Sequence, residues 1–182
     1  MSFSWTPHRF AGGALALDVA NSVILRFDPT RSIDRFAEPK QMEAFPKAAE
    51  KFSAERALFS DLAPVEPENH APFIALREAI DRYFRTRLTG DDAQTLLADF
   101  LEATATVLRR ARKNSLEAAT AHSALRLLAE AEIVRMKICG SCGWLFIDRS
   151  RNRSRTWCDM AVCGNRVKAS RHYHRRKKEA VS

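Results

Sequence analysis

The sequence predicts a mainly α (α+β) protein: a helical N-terminal domain with a short β element near its start, then a C-terminal four-cysteine zinc knuckle or treble-clef-like module that ends in a basic helix. Three observations carry this reading. Apolar residues recur at helical spacing through the middle of the chain, all four cysteines fall in its last quarter, and the positive charge concentrates there too. Of the 182 residues, 46% are hydrophobic, which suffices for one sizeable core with an appendage and argues against disorder. Residues 136–182 carry 12 Lys and Arg against 3 Asp and Glu, so the net charge of +8 divides into +9 there and −1 over residues 1–135. The predicted domains are accordingly 1–135 and 136–182. The second has the charge to attract a polyanion, of which nucleic acid is the commonest in a cytosol.

The elements follow in order. Charges are few from Phe3 to Val23, and Gly12-Gly13 separates a short strand or turn from a buried helix over Ala14–Ser22. Pro29, Pro39 and Pro46 are expected to break the next stretch into short pieces up to Phe52. Ser53 can then cap a helix through Leu62, ended by Pro64 and Pro67. A longer helix starts near Asn69, with Phe73, Leu76, Ile80, Tyr83, Phe84 and Leu88 at intervals of three and four and Gly90 as its stop. Asp91 or Asp92 caps the next, whose face runs from Leu96 to Leu108 and whose basic Arg109–Lys113 end suits the negative end of a helix dipole. Ser115 starts a third helix, whose Leu127, Ala131 and Val134 lead almost into Cys139. With no linker there, the two modules should be rigidly coupled.

Nothing in residues 1–135 has a catalytic pattern, and neither a phosphate-binding glycine loop nor a nucleophile elbow occurs, so no enzyme is expected. The longest uncharged run, Ile138–Ile147, is too short to span a bilayer, and no secretory signal precedes the chain. No membrane partner is expected, and a cytoplasmic location would keep the thiols reduced.

The cysteines are spaced Cys139-x2-Cys142-x15-Cys158-x4-Cys163. Two close pairs separated by such a loop suit one structural Zn2+ held by four thiolates, with iron–sulfur ligation as the competitor. Gly140, Ser141 and Gly143 allow a sharp knuckle. The apolar Trp144–Ile147 run has strand propensity. Arg149, Arg151, Arg153 and Arg155 alternate with small polar residues and suit a phosphate backbone. A helix opening at Cys163 adds Arg166 and places Lys168, Arg171, Arg175 and Lys178 on one face. These nine cations are the candidate nucleic-acid contacts, and double-stranded DNA is the expected partner. His172 and His174 are not needed as ligands. Asp18 and Asn21, one helical turn apart, are candidates for lining a small-molecule pocket, the alternative being a helix cap with a buried hydrogen bond.

The segments Cys142–Asp148, Ser150–Arg155, Trp157-Cys158 and Cys163-Gly164-Asn165-Arg166 closely resemble the CGNR zinc-finger family of bacterial proteins. In that family the finger follows an N-terminal ABATE domain, described as a stress-induced transcription regulator, and Leu17–Ser22 looks like that domain's opening. The x2 first pair is closer than family members often have. The resemblance implies a DNA-binding regulator with a signal-receiving N-terminal domain that takes a small-molecule effector. RNA or ribosome binding and a protein-interaction adaptor are the rival readings, and a homodimer is left open.

Overall fold

The computed structural model describes residues 3–91, 94–129 and 133–179, without the side chains of residues 171, 174, 175 and 177–179. Six α-helices and two small antiparallel sheets make up the regular structure among these residues. A 3-10 turn, Pro7–Phe10, precedes the glycine pair where a strand or turn was the expectation. Helix α1, Leu15–Ala20, follows and is buried at every residue. Its apolar faces are enclosed on two sides: Leu17 and Ala20 face one core cluster while Leu15 and Val19 face another. The short β element comes after α1, as β1 (Val23–Ile24) paired with β2 (Ile33–Asp34).

Helix α2, Pro39–Phe52, corrects the expectation of short proline-broken pieces. Pro39 occupies the first turn, where a missing N–H costs nothing. Pro46 gives up one internal hydrogen bond, but its ring joins Met42, Phe45 and Ala49 on the buried face. Ser53 ends this helix instead of starting another, and the chain continues as a 3-10 turn, Arg56–Leu58.

Helix α3, His70–Thr89, stops at Gly90 in the left-handed conformation (φ 86°). Helix α4, Gln94–Leu108, packs along it; the cap expected at Asp92 lies outside the described residues. Helix α5, Leu116–Arg126, starts at Ser115, whose hydroxyl accepts from the Ala118 amide at 3.3 Å. The helix is shorter than its apolar pattern implied. It ends at Leu127, which is buried in the core, while Val134 is 57% exposed and Ala131 lies outside the described residues. Strand β3, Met136–Ile138, runs antiparallel to β4, Leu145–Ile147.

Alternation along β4 couples the cysteine module to the helical body. Leu145 and Ile147 join the core formed by α1, α3, α4 and α5, whereas Phe146 points to the cysteines. The second edge of β4 is closed as well. The Ile147 amide donates to the Gly12 carbonyl at 2.9 Å, and the Asn21 side chain takes both backbone groups of Leu145, at 2.9 and 3.1 Å. Trp144 Nε1 donates to the Val23 carbonyl at 3.2 Å. Charges of the body pair among themselves, as in the bidentate Arg77–Asp34 contact at 2.7 and 2.8 Å and the Arg85–Asp81 pair.

Candidate metal centre and basic surface

The first cysteine pair sits on a turn anchored to the hairpin. The Cys139 amide donates to the Trp144 carbonyl at 2.8 Å, the Gly143 amide to the Cys139 carbonyl at 2.9 Å, and Gly143 takes φ 74°, a conformation L side chains rarely adopt. The second pair is drawn in by the Gly140 amide donating to the Thr156 carbonyl at 3.1 Å. After Cys158, Asp159 accepts from the Ala161 and Val162 amides and opens a single wide π turn, Met160–Gly164, which presents Cys163 and runs into α6, Asn165–Glu179. His8 Nδ1 meets the Asp159 carboxylate at 2.9 Å and ties this arm to the N-terminus.

These connections bring Cys139, Cys142, Cys158 and Cys163 together, all buried, with their sulfurs within 4.8 Å of one another. Cys142 and Cys158 sulfurs are 3.6 Å apart, and Cys158 and Cys163 3.7 Å. Ligands at the ~2.3 Å Zn–S distance stand about 3.8 Å apart in a tetrahedron, so the spacing is that of a single ion's donors. It is too long for a disulfide and too tight to enclose a multi-iron cluster. Hydrogen bonding with Cys139 pushes Cys142 up to about 12, hydrogen bonds with Cys139 and Cys142 push Cys158 up, and burial pushes Cys163 up. Hydrogen bonds from Cys142 and Cys158 hold Cys139 down. Loading the ion therefore displaces protons from the other three sulfurs.

Residues 135–176 match the family model of the CGNR zinc finger. With four buried, clustered thiols, the segment is a zinc-binding domain that holds one structural zinc ion. No curated protein matches the chain.

Within the CGNR finger the basic loop is organised by a carboxylate that sequence reasoning missed. Asp148 is wholly buried, and its oxygens accept from the Ser150 amide (2.9 Å), the Arg155 amide (2.9 Å) and Lys137 Nζ (2.8 Å). Burial pushes this carboxyl up, but the Lys137 ammonium and the two amides outweigh it and hold it well below the usual range. Lys137 also donates to the carbonyls of Arg153 and Arg155, so one ion pair fixes both ends of residues 149–155. No spacing rule signals this arrangement. Its one trace is the lone acid before the arginine run.

The predicted cations divide by place. Arg151 and Arg153 are exposed on the pinned loop, and Arg166 and Lys168 are exposed on α6. Arg149, also exposed, donates to the Gly13 carbonyl at 3.1 Å. Arg155 is turned inward: its guanidinium donates to the Cys158 carbonyl and lies 5.6 Å from the Phe146 ring, so it serves the finger's own structure. Arg171, Arg175 and Lys178 are on α6, with side chains outside the described set. Arg9 was not anticipated. Burial lowers its pKa, followed by repulsion from Arg35 and Arg166, which places two body cations in the field at the start of α6. Counting charge by segment hid them in a nearly neutral N-terminal half.

Asp18 and Asn21 are committed to protein partners. Asp18 accepts from the Gly12 amide (3.0 Å) and the Ser53 hydroxyl (3.1 Å) with no exposed surface. A Cβ on Gly12 would approach the Asp18 oxygen to 2.8 Å, which accounts for the glycine. Asn21 is the clamp on Leu145 described above. Burial raises the Asp18 pKa well above 3.8, so its neutral form is the one the fold favours. Stability from this group is fully present below pH 3.8 and is lost as pH rises through the raised value. Asp18→Asn is therefore expected to remove that loss. The variant's melting temperature minus that of the parent should grow as pH rises above 3.8, as checked by thermal unfolding of the zinc-loaded protein. A difference that shrinks with pH would reverse the sign.

Proposed function

We propose that the protein is a DNA-binding transcription regulator of the bacterial cytoplasm, in which the zinc ion holds two basic arms, the 149–155 loop and helix α6. The observation that carries this reading is the Asp148–Lys137 clamp at 2.8 Å, which uses a buried ion pair to fix a loop whose Arg151 and Arg153 face solvent. A fixed cationic loop loses less conformational freedom on meeting phosphates than a free tail does. Residues 136–182 are the reading part and residues 1–135 the sensing part, in keeping with the ABATE-like Leu17–Ser22 segment and a stress-linked effector.

Duplex DNA is favoured over RNA because a long, exposed basic helix fits the DNA major groove, whereas the A-form major groove is too narrow for side chains to read. A homodimer would match a palindromic site. Catalysis by the metal is disfavoured, since four cysteines leave no open coordination position. No helix among the described residues is long and apolar enough to cross a membrane.

Fluorescence anisotropy with the gene's own upstream duplex, a scrambled duplex and a structured RNA tests the reading. The upstream duplex should bind most tightly. If about six phosphates are contacted, log K should fall with log salt at a slope near −5, and Arg151→Ser with Arg153→Ser should reduce that slope by about 2. A slope near zero, or equal binding of all three probes, would sink it.

A further inference from the structure

Two cavities flank the Arg56–Leu58 turn and share Leu58 and Arg126 as a common wall. The first, about 560 Å³, sets Lys113, Asn114, His122 and Arg126 around an apolar floor that includes Phe59 and Leu62. No acidic side chain lines it. The second, about 460 Å³, runs over Ala54 and Ala57 to Leu127, Ile147 and Arg149, the last two belonging to β4 and the basic loop. Its one carboxylate, Glu55, is already engaged by the Leu15 amide at 2.8 Å, by the Ser123 hydroxyl and by Arg126 at 2.9 Å. Leu58 stands 63% exposed on the ridge between them.

The walls are held in place by the backbone. The Ala63 amide donates to the Asn114 carbonyl and the Leu116 amide to the Ala63 carbonyl, both at 2.9 Å, and the Leu58 amide donates to the Glu55 carbonyl at 2.8 Å. A large apolar side chain is thus kept in water between a cationic basin and an apolar channel. Volumes of this size, with apolar and polar side chains both in the lining, are in the range of small-molecule sites. Glu55 balances Arg126, so the excess charge is that of Lys113; it selects an anion, and the apolar part of the lining selects one with a hydrocarbon body over a bare inorganic ion.

We propose that the joined cavities bind an amphipathic organic anion of the medium-chain carboxylate class. Its headgroup sits against Lys113 and Arg126, and its chain crosses Leu58 toward Ile147. The consequence for DNA rests on the proposed regulatory function, because such a chain ends beside Arg149 of the basic loop. Binding itself does not depend on that reading and is measured without DNA.

The zinc-loaded full chain is titrated with octanoate, octanol and octylamine, followed by amide chemical shifts. Octanoate should saturate below about 1 mM and bind about 10-fold or more tighter than either neutral octanol or cationic octylamine. Lys113→Glu, at an exposed position, should weaken octanoate about 10-fold, as should Leu58→Asp, while Lys40→Glu on a remote surface should leave it unchanged. The proposal is overturned by octanoate that fails to saturate, by octanol binding as tightly, or by Lys113→Glu with parental affinity.

Discussion

Removing the zinc ion, by chelation or by Cys142→Ser, should unfold the cysteine arm and abolish DNA binding while the helical body keeps its cooperative melt. The buried cluster that includes Phe146 and Trp144 consists mostly of the four sulfurs themselves, so without the ion little apolar surface holds Cys158 and Cys163 against the knuckle. Beyond the Lys137–Asp148 clamp, which reaches only as far as Arg155, what remains is the Gly140–Thr156 backbone bond and the His8–Asp159 contact. Structural zinc contributes on the order of 10 kcal/mol in isolated fingers, far more than two such contacts supply. The body's two core clusters use none of the cysteines and should survive. Zinc release should titrate at one ion per chain, and limited proteolysis should then cut within residues 149–179. Chelated protein that resists proteolysis and binds DNA unchanged would refute the structural role.

Asn21→Ala is expected to be the most damaging single change in the helical body. It leaves the Leu145 N–H and C=O buried and unpaired, since both face away from β3 and toward the lost carboxamide. Each orphaned group costs roughly 1 to 3 kcal/mol, so the loss should total about 2 to 6 kcal/mol, a large share of an ordinary domain's stability. Asn21→Asp separates geometry from size. It can still accept from the Leu145 amide but sets a carboxylate oxygen against the Leu145 carbonyl, and should be nearly as destabilising. Denaturant unfolding of zinc-loaded protein checks both, and a loss under ~0.5 kcal/mol for either would show that solvent replaces the clamp.

How much of this the sequence disclosed depended on the range of the interaction. The cysteine quartet was legible because metal coordination demands residue types at restricted spacings. Gly90 and Ser115 were legible because helix ends have local chemistry. Helix α2 was not, because proline's local cost was outweighed by burial of Met42, Phe45, Pro46 and Ala49, a face recognisable only once its neighbours are in place. Asn21 does cap α1 and make a buried hydrogen bond, one of the two readings open to it, but its partner Leu145 was not legible because it lies 124 positions away. Arg155 looked like its neighbours in the arginine run, yet the return of the chain to Cys158 turned its guanidinium inward. Where α5 ends was equally hidden: its apolar spacing continues past Arg126, while a few residues on Met136 pairs with Ile147 of β4.

The capped edge of β4 limits how the finger can be exchanged between proteins. Cut free at residue 135, it would carry an unpaired strand margin at Leu145 and Ile147 and an uncovered greasy face, the features that drive edge-to-edge association. Grafting onto a foreign protein would require the host to bring its own equivalent of Gly12 and Asn21. The zinc finger comes together with its frame, and a hybrid made from it must preserve the N-terminal turn as faithfully as the four cysteines.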